Sequence, residues 1–214
     1  MNQLIIIGHG GHAKVVMDIA KSCNKSIVAI LDDKYTHLQD LSSYYIGPVS
    51  QAPAVKHMFP QAAWVIAIGN NKVREQIKNR LTYLDLNFAT LVHPTASIGS
   101  GGIIQQGTVV MPYAVINADA SVGEHCIINS GSIVEHDSLI EDFVHIGPKS
   151  AVAGGVRIGK GCFIGIGASI IPGVSIGEWS TVGAGAAVIR DVTSYETVVG
   201  IPATPIKREA SNHD

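Results

Sequence analysis

The chain has 214 residues, 46% hydrophobic and 15% charged, with a formal net charge of −2. That is a folded protein with room for two modest cores, and no run approaches the roughly 18 apolar residues of a membrane span, so a cytoplasmic address is expected. Its 3 cysteines make no disulfide framework, and a split of 9 basic to 6 acidic side chains over residues 1–91 and 6 to 11 over 92–214 lacks the basic density that nucleic acid requires.

The first apolar run, Gln3–Ile7, ends in Gly8-His9-Gly10-Gly11-His12, and residues 13–21 follow with apolar residues at helical spacing. The segment reads as strand, glycine-rich turn and helix. A second apolar strand, Ser26–Leu31, stops at Asp32-Asp33, which completes a βαβ unit. Residues 64–68 form a third strand that runs into Gly69-Asn70-Asn71 and a helix over 72–81, with Val73, Ile77 and Leu81 on one face. Residues 87–92 lead out, and His93-Pro94 marks a boundary. The pattern therefore predicts a small Rossmann-like α/β domain over 1–91, with ligand loops at its strand ends, and a second domain over 92–214.

The string Gly8-x-Gly10-x-x-Ala13 fits a loose dinucleotide fingerprint, with Asp32 where a ribose acid would lie. Glycines there let backbone N–H groups and a helix N-terminus approach any phosphate, so a nucleotide-sugar site, a dinucleotide site and a purely structural turn all remain open. The domain is short for the two halves of a full dinucleotide fold.

From residue 97 to 190 the chain repeats every six residues. Ile98, Ile104, Val110, Ile116, Val122, Ile128, Val134, Ile140, Ile146, Val152, Ile158, Ile164, Ile170, Ile176, Val182 and Val188 are sixteen branched aliphatics at strict spacing. Small or β-branched residues precede them by two, among them Gly102, Ala114, Ser132, Cys162 and Ala186, and Gly follows several directly. A period this short, rich in Val, Ile, Ser and Gly, predicts a parallel β-helix whose coils stack about 4.8 Å apart, the aliphatics pointing inward. Cys126 and Cys162 occupy small-residue slots and read as inert packing. The period breaks over 193–197, Val199-Gly200-Ile201-Pro202-Ala203 turns the chain, and the tail after Lys207 is expected to be mobile.

Only outward positions of such a rod are free to react. His136 is one, two places beyond Val134 and flanked by Glu135 and Asp137. An imidazole near neutrality suits proton removal, and an adjacent carboxylate raises its basicity. His125 and His145 are weaker candidates on the same grounds.

The stretches IIIGHGGHAKVV, LDDK, IAIGNN, INSGSIVEHD and VVGIPATPIK together resemble the bacterial sialic-acid O-acetyltransferase and amino-sugar N-acetyltransferase family, with particular likeness to the UDP-4-amino-sugar N-acetyltransferases of bacillosamine synthesis. The resemblance implies a left-handed β-helix, a homotrimer, acetyl-CoA as co-substrate lying along the rods, no metal, and a nucleotide sugar held mainly by the N-terminal domain. It places Gly10, Gly11, His12, Asp32, Asp33 and Gly69 in the nucleotide-sugar site, with Asn129 lining the substrate pocket. His136 becomes the general base, polarised by Asp137 where relatives usually carry Glu. His145, Ile166 and Ala184 fall where the family contacts acetyl-CoA, Ala184 standing in a place often held by Gly. The same likeness admits O-acetylation of a sialic acid or another sugar hydroxyl. Two other classes are a zinc hydratase, for which His125, His136 and His145 lack the usual close His pair, and a non-catalytic sugar-nucleotide sensor.

Overall fold

A computed structural model describes residues 2–208. The polar tail expected to be mobile lies, from residue 209 onward, outside the described residues. The chain forms two compact units that divide between Val92 and His93.

In the first unit, β1 (Gln3–Ile7), β2 (Ser26–Leu31), β3 (Gln39–Asp40), β4 (Tyr45–Gly47) and β5 (Ala63–Ile66) make one sheet in the order β3-β4-β2-β1-β5. All neighbours are parallel except β3 with β4. Central β1 has Leu4, Ile5, Ile6 and Ile7 fully buried, as a parallel strand covered on both faces must be. The helices are α1 (Gly11–Ser22), α2 (Ala52–Met58) and α3 (Asn71–Arg80). Helix α1 buries Ala13, Val16, Ile19 and Ala20 at helical spacing. Helix α3 departs from the expected face. Val73 is exposed, and the inward positions are Asn71, Arg74 and Leu81, with Ile77 packed partly against the core. The register of α3 is set by a buried guanidinium, which a hydrophobic pattern does not register.

The second unit is a three-faced, left-handed coil of two-residue strands. Strands from Ser97–Ile98 to Ala187–Val188 make the first face, those from Ile103–Ile104 to Ser175–Ile176 the second, and those from Val109–Val110 to Thr181–Val182 belong to the third. Pairing is parallel from coil to coil, as in Val115 with Ile133 and Ile133 with Ala151. Fourteen of the sixteen repeat aliphatics are buried; Ile98 and Ile104, in the first coil, are not. Glu196–Val199 extends the third face and pairs antiparallel with Thr204–Arg208.

Two backbone requirements explain the rest of the hexad. Gly follows the aliphatic where the next coil passes too close for a side chain: a Cβ on Gly147 would lie 2.4 Å from the Ile164 carbonyl oxygen. Three residues after every aliphatic but the last, Val188, the chain turns with positive φ, at Gly in some corners and at Tyr113, Asp119, His125, Asp137, Phe143, Lys149 or Trp179 in others. Such a left-handed residue costs roughly 1–2 kcal/mol when it is not Gly. At one corner rings offset that cost, with His125 stacked on Phe143 at 5.3 Å and 11°. Hydroxyls and thiols in the small slots donate to backbone carbonyls, Ser132 Oγ to Asn129 at 2.7 Å and Cys162 Sγ to Gly177 at 2.9 Å. Both Cys126 and Cys162 are fully buried.

Candidate active site

The second unit builds one corner around an exposed histidine. His136 and Asp137 leave the first face after Ile133–Val134, and Asp137 takes φ +60°. Asp tolerates this region better than most residues because its short side chain bonds locally. The backbone is pinned from both neighbouring coils: Asp137 N–H donates to the Ala118 carbonyl at 3.1 Å, and Gly155 N–H donates to the His136 carbonyl at 2.9 Å. Within that frame His136 Nδ1 donates to Asp137 Oδ2 at 2.7 Å. A carboxylate only accepts, so the proton sits on Nδ1 and the lone pair on Nε2. The hydrogen bond to Asp137 chiefly raises the imidazole pKa, with Glu135 adding a smaller push. Glu135 is itself held by Asn117, whose Nδ2 donates to Oε2 at 2.8 Å.

Sequence reasoning missed the residue beneath this imidazole. A Cβ on Gly154 would lie 2.7 Å from both Cε1 and Nε2 of His136. The signal was available, since Gly154 follows His136 by one full coil.

The remaining rod candidates gather elsewhere. Asn129 Nδ2 lies 3.0 Å from His145 Nε2, and His145 meets Phe163 edge to face at 5.1 Å. Ile166 and Ala184 are exposed on successive coils, each two residues beyond a third-face strand. Asn129, His145, Ile166 and Ala184 thus share the third face and its outgoing corner, whereas His136 stands at the corner that leaves the first. His125, read as an outward candidate, is instead fully buried against Phe143. Among the described residues no group of three His, Cys, Asp or Glu side chains is placed to hold a metal, and no helix is long and apolar enough to cross a membrane.

The first unit gathers its candidates at the carboxyl ends of β1, β2 and β5, where open α/β sheets bind ligands. Gly10 is the N-cap of α1 and supplies no side-chain cap, while Gly10 and Gly11 have open space where a Cβ would stand. His9 is braced three ways: its N–H donates to Asp32 Oδ2 at 2.6 Å, its carbonyl accepts from Lys34 Nζ at 2.7 Å, and its Nδ1 lies 2.6 Å from the Tyr35 hydroxyl. Asp32 therefore steadies the glycine turn, and Asp33 accepts from Val49 N–H at 2.9 Å and pairs with Arg80 at 2.6 Å. Gly69 lies beside His12, 3.9 Å from a Gly69 Cβ to the His12 Cβ. Burial first, and then the Arg74 charge, lower the His12 pKa to about 4, so the ring is neutral at physiological pH.

Residues 3–81 match the family described as PglD N-terminal domain, and residues 101–136 and 156–190 match the bacterial transferase hexapeptide family. A perosamine N-acetyltransferase from Caulobacter crescentus, solved as a histidine-to-asparagine variant in complex with CoA and GDP-perosamine, is 34% identical. That likeness covers 96% of this chain and 97% of the other at a TM-score of 0.89. The chain belongs to the hexapeptide-repeat nucleotide-sugar N-acetyltransferases. Another relative of this family, the acetyltransferase domain of PglB from Neisseria gonorrhoeae FA1090, was solved with acetyl coenzyme A; it is 35% identical over 96% of this chain and 99% of that one, with a TM-score of 0.87. The UDP-N-acetylbacillosamine N-acetyltransferase of Bacillus subtilis (strain 168) is 41% identical over 112 residues, 52% of each chain, so the match spans about half the length of that curated relative.

Proposed function

We propose that this chain transfers the acetyl group of acetyl-CoA to the 4-amino group of a UDP-linked amino-deoxy sugar, with His136 as general base. Membership of the N-acetyltransferase family supports the coarser reaction, acetyl-CoA-dependent N-acetylation of a nucleotide-linked amino sugar. The UDP linkage draws on the Bacillus relative's name, and the Caulobacter relative makes GDP the comparison.

The observation that carries the reading is the 2.7 Å bond that fixes the His136 proton on Nδ1. Nε2 is left to accept a proton from the sugar amine as its nitrogen attacks the thioester carbonyl. The tetrahedral intermediate then collapses, the C–S bond breaks, and His136 returns the proton to the departing sulfur. Acetamide and free CoA are the products, and no acyl-enzyme forms. Gly10, Gly11, His12, Asp32, Asp33 and Gly69 position the nucleotide sugar, with Asn129 in the substrate pocket, and His145, Ile166 and Ala184 line the acetyl-CoA path. Ile166, 55% exposed, and the small Ala184 offer an apolar, uncrowded edge suited to an extended thioester arm.

His136 and the acetyl-CoA residues occupy different faces of one rod, so a second copy set beside the first completes the site, and the assembly is a homotrimer. Light scattering checks this against three times 22.5 kDa. The decisive experiment follows free thiol release from acetyl-CoA with UDP-, GDP- and dTDP-4-amino sugars. His136→Ala should cost a factor of roughly 10² to 10⁴ in rate with the melting temperature kept. A wild type active only on sugar hydroxyls, or a His136→Ala variant at full rate, overturns the proposal.

A further inference from the structure

Arg74 is 1% exposed, near the start of a helix whose sequence gave it no part in the core. Its guanidinium donates from Nη1 to the carbonyls of Ile68 at 2.9 Å and Gly69 at 3.3 Å, and from Nη2 to Asn71 Oδ1 at 2.9 Å. A rigid fork that takes three oxygens of one loop fixes that loop's shape in a way a single ammonium cannot.

The consequence runs through peptide geometry. In a trans peptide the N–H of the next residue points opposite to the C=O. Holding the Ile68 and Gly69 carbonyls toward the buried fork turns the N–H groups of Gly69 and Asn70 the other way, to the side of the loop where Gly69 is half-buried and Asn70 exposed. The Asn70 side chain meanwhile accepts from Val73 N–H at 3.0 Å and closes the first turn of α3. This loop abuts the glycine turn: a Cβ on Gly8 would lie 2.8 Å from Ile68 Cγ1 and 2.9 Å from the Ala67 oxygen. Two helix starts meet at the ends of neighbouring strands β1 and β5, beside the outward N–H groups of Gly69 and Asn70.

We infer that Arg74 is a positioning residue for the nucleotide-sugar site, setting the 68–71 loop so that its backbone donors face the diphosphate. The inference rests on the proposed reading of the first unit as the nucleotide-binding part. Arg74 acts through the loop it clamps, without itself touching the ligand.

Calorimetry on the full chain tests it, with UDP, GDP and dTDP as nucleotide probes and acetyl-CoA as the control. Arg74→Lys keeps a charge and loses the fork, and should weaken the best-bound nucleotide by about tenfold, the loss of one or two charge-assisted hydrogen bonds. Acetyl-CoA affinity should stay within about twofold of wild type. Arg74→Gln should lose more nucleotide affinity than Arg74→Lys, and the His12 imidazole, followed by NMR, should titrate above its wild-type value of about 4. Should the Arg74 variants fail to fold, Asn71→Ala removes one anchor of the fork, and a nucleotide-specific loss there supports the same conclusion. A wild type that binds none of the three nucleotides overturns this inference together with the proposed function. A wild type that binds, with Arg74→Lys and Asn71→Ala binding equally well, overturns the inference alone. So does parallel loss of nucleotide and acetyl-CoA.

Discussion

The His136 imidazole lies over Gly154, at a distance that leaves no room for a methyl group between them: a Cβ there would fall 2.7 Å from Nε2, the atom proposed to accept the proton. Gly154 has no positive φ, so alanine is tolerated by its backbone, whereas its neighbour Gly155 turns at +68° with open space around it. The two glycines therefore separate space from strain. Gly154→Ala should displace the ring and lower kcat by about 10²-fold, the scale of a misplacement near 1 Å, with little change in melting temperature. Gly155→Ala should do the reverse, costing about 1–2 kcal/mol of stability with kcat nearly kept. Steady-state kinetics and thermal melts on the pair decide it, and equal kcat in both would mean that Gly154 does not set the position of the ring.

The hydrogen bond that His136 donates to Asp137 raises the His136 pKa, and a general base works only when deprotonated. Activity should therefore fall as pH drops through a value above 6.5, the ordinary histidine value. Asp137→Asn withdraws the charge, so the acidic limb of kcat/KM should move to lower pH while the plateau falls by less than the roughly 10² to 10⁴ lost with the base itself. A limb that stays in place would mean that another group titrates.

The rod was legible because a single inviolate slot, the aliphatic every sixth residue, sets the inward face of every strand. Its corners were not, since the left-handed position accepts Gly, Asp137, Lys149 and Trp179 alike and so shows no residue signature. His125 illustrates the cost. It sits one residue before a small-slot cysteine and looked solvent-facing, yet the ring of Phe143 in the next coil covers it. In the first unit the strands β1, β2 and β5 announced themselves as apolar runs, but β3 and β4, of 2 and 3 residues, are too short to carry a period. The fork of Arg74 was invisible for a different reason: hydrophobic spacing assigns a polar residue to solvent, and only the carbonyls it meets reveal otherwise.

Cysteine chemistry gives a direct check on the rod's interior. Burial pushes the Cys162 thiol up to about 12, and Cys126 is equally enclosed, with its Sγ donating to the Glu141 carbonyl at 3.0 Å. Cys23 is half-buried in the first unit, its thiol raised more mildly by burial. Native iodoacetamide treatment at pH 8 should alkylate Cys23 and spare the other two, which should react only in denaturant. Mass spectrometry of the tryptic peptides reads this, and rapid native labelling of Cys162 would contradict the packing of the coil.

The last prediction concerns how acid acts on the first unit. His12 has a folded pKa of about 4 against an ordinary 6.5, because burial and the Arg74 charge both oppose its protonation. Between those two values the unfolded chain binds a proton that the folded chain does not, so stability rises with pH there and is lost as pH falls. Above pH 6.5 the contribution is complete; by pH 4 it should have cost up to about 3 kcal/mol. His12→Gln keeps a polar side chain without the titration, so the difference between variant and wild type isolates this group from the carboxylates that also protonate in acid. Denaturant unfolding read by the buried Trp64, 1% exposed, in a Trp179→Phe background, measures both proteins from pH 7 to pH 4.5. The wild type should lose more stability than His12→Gln across that range, and parallel curves would show that His12 is protonated in the folded protein.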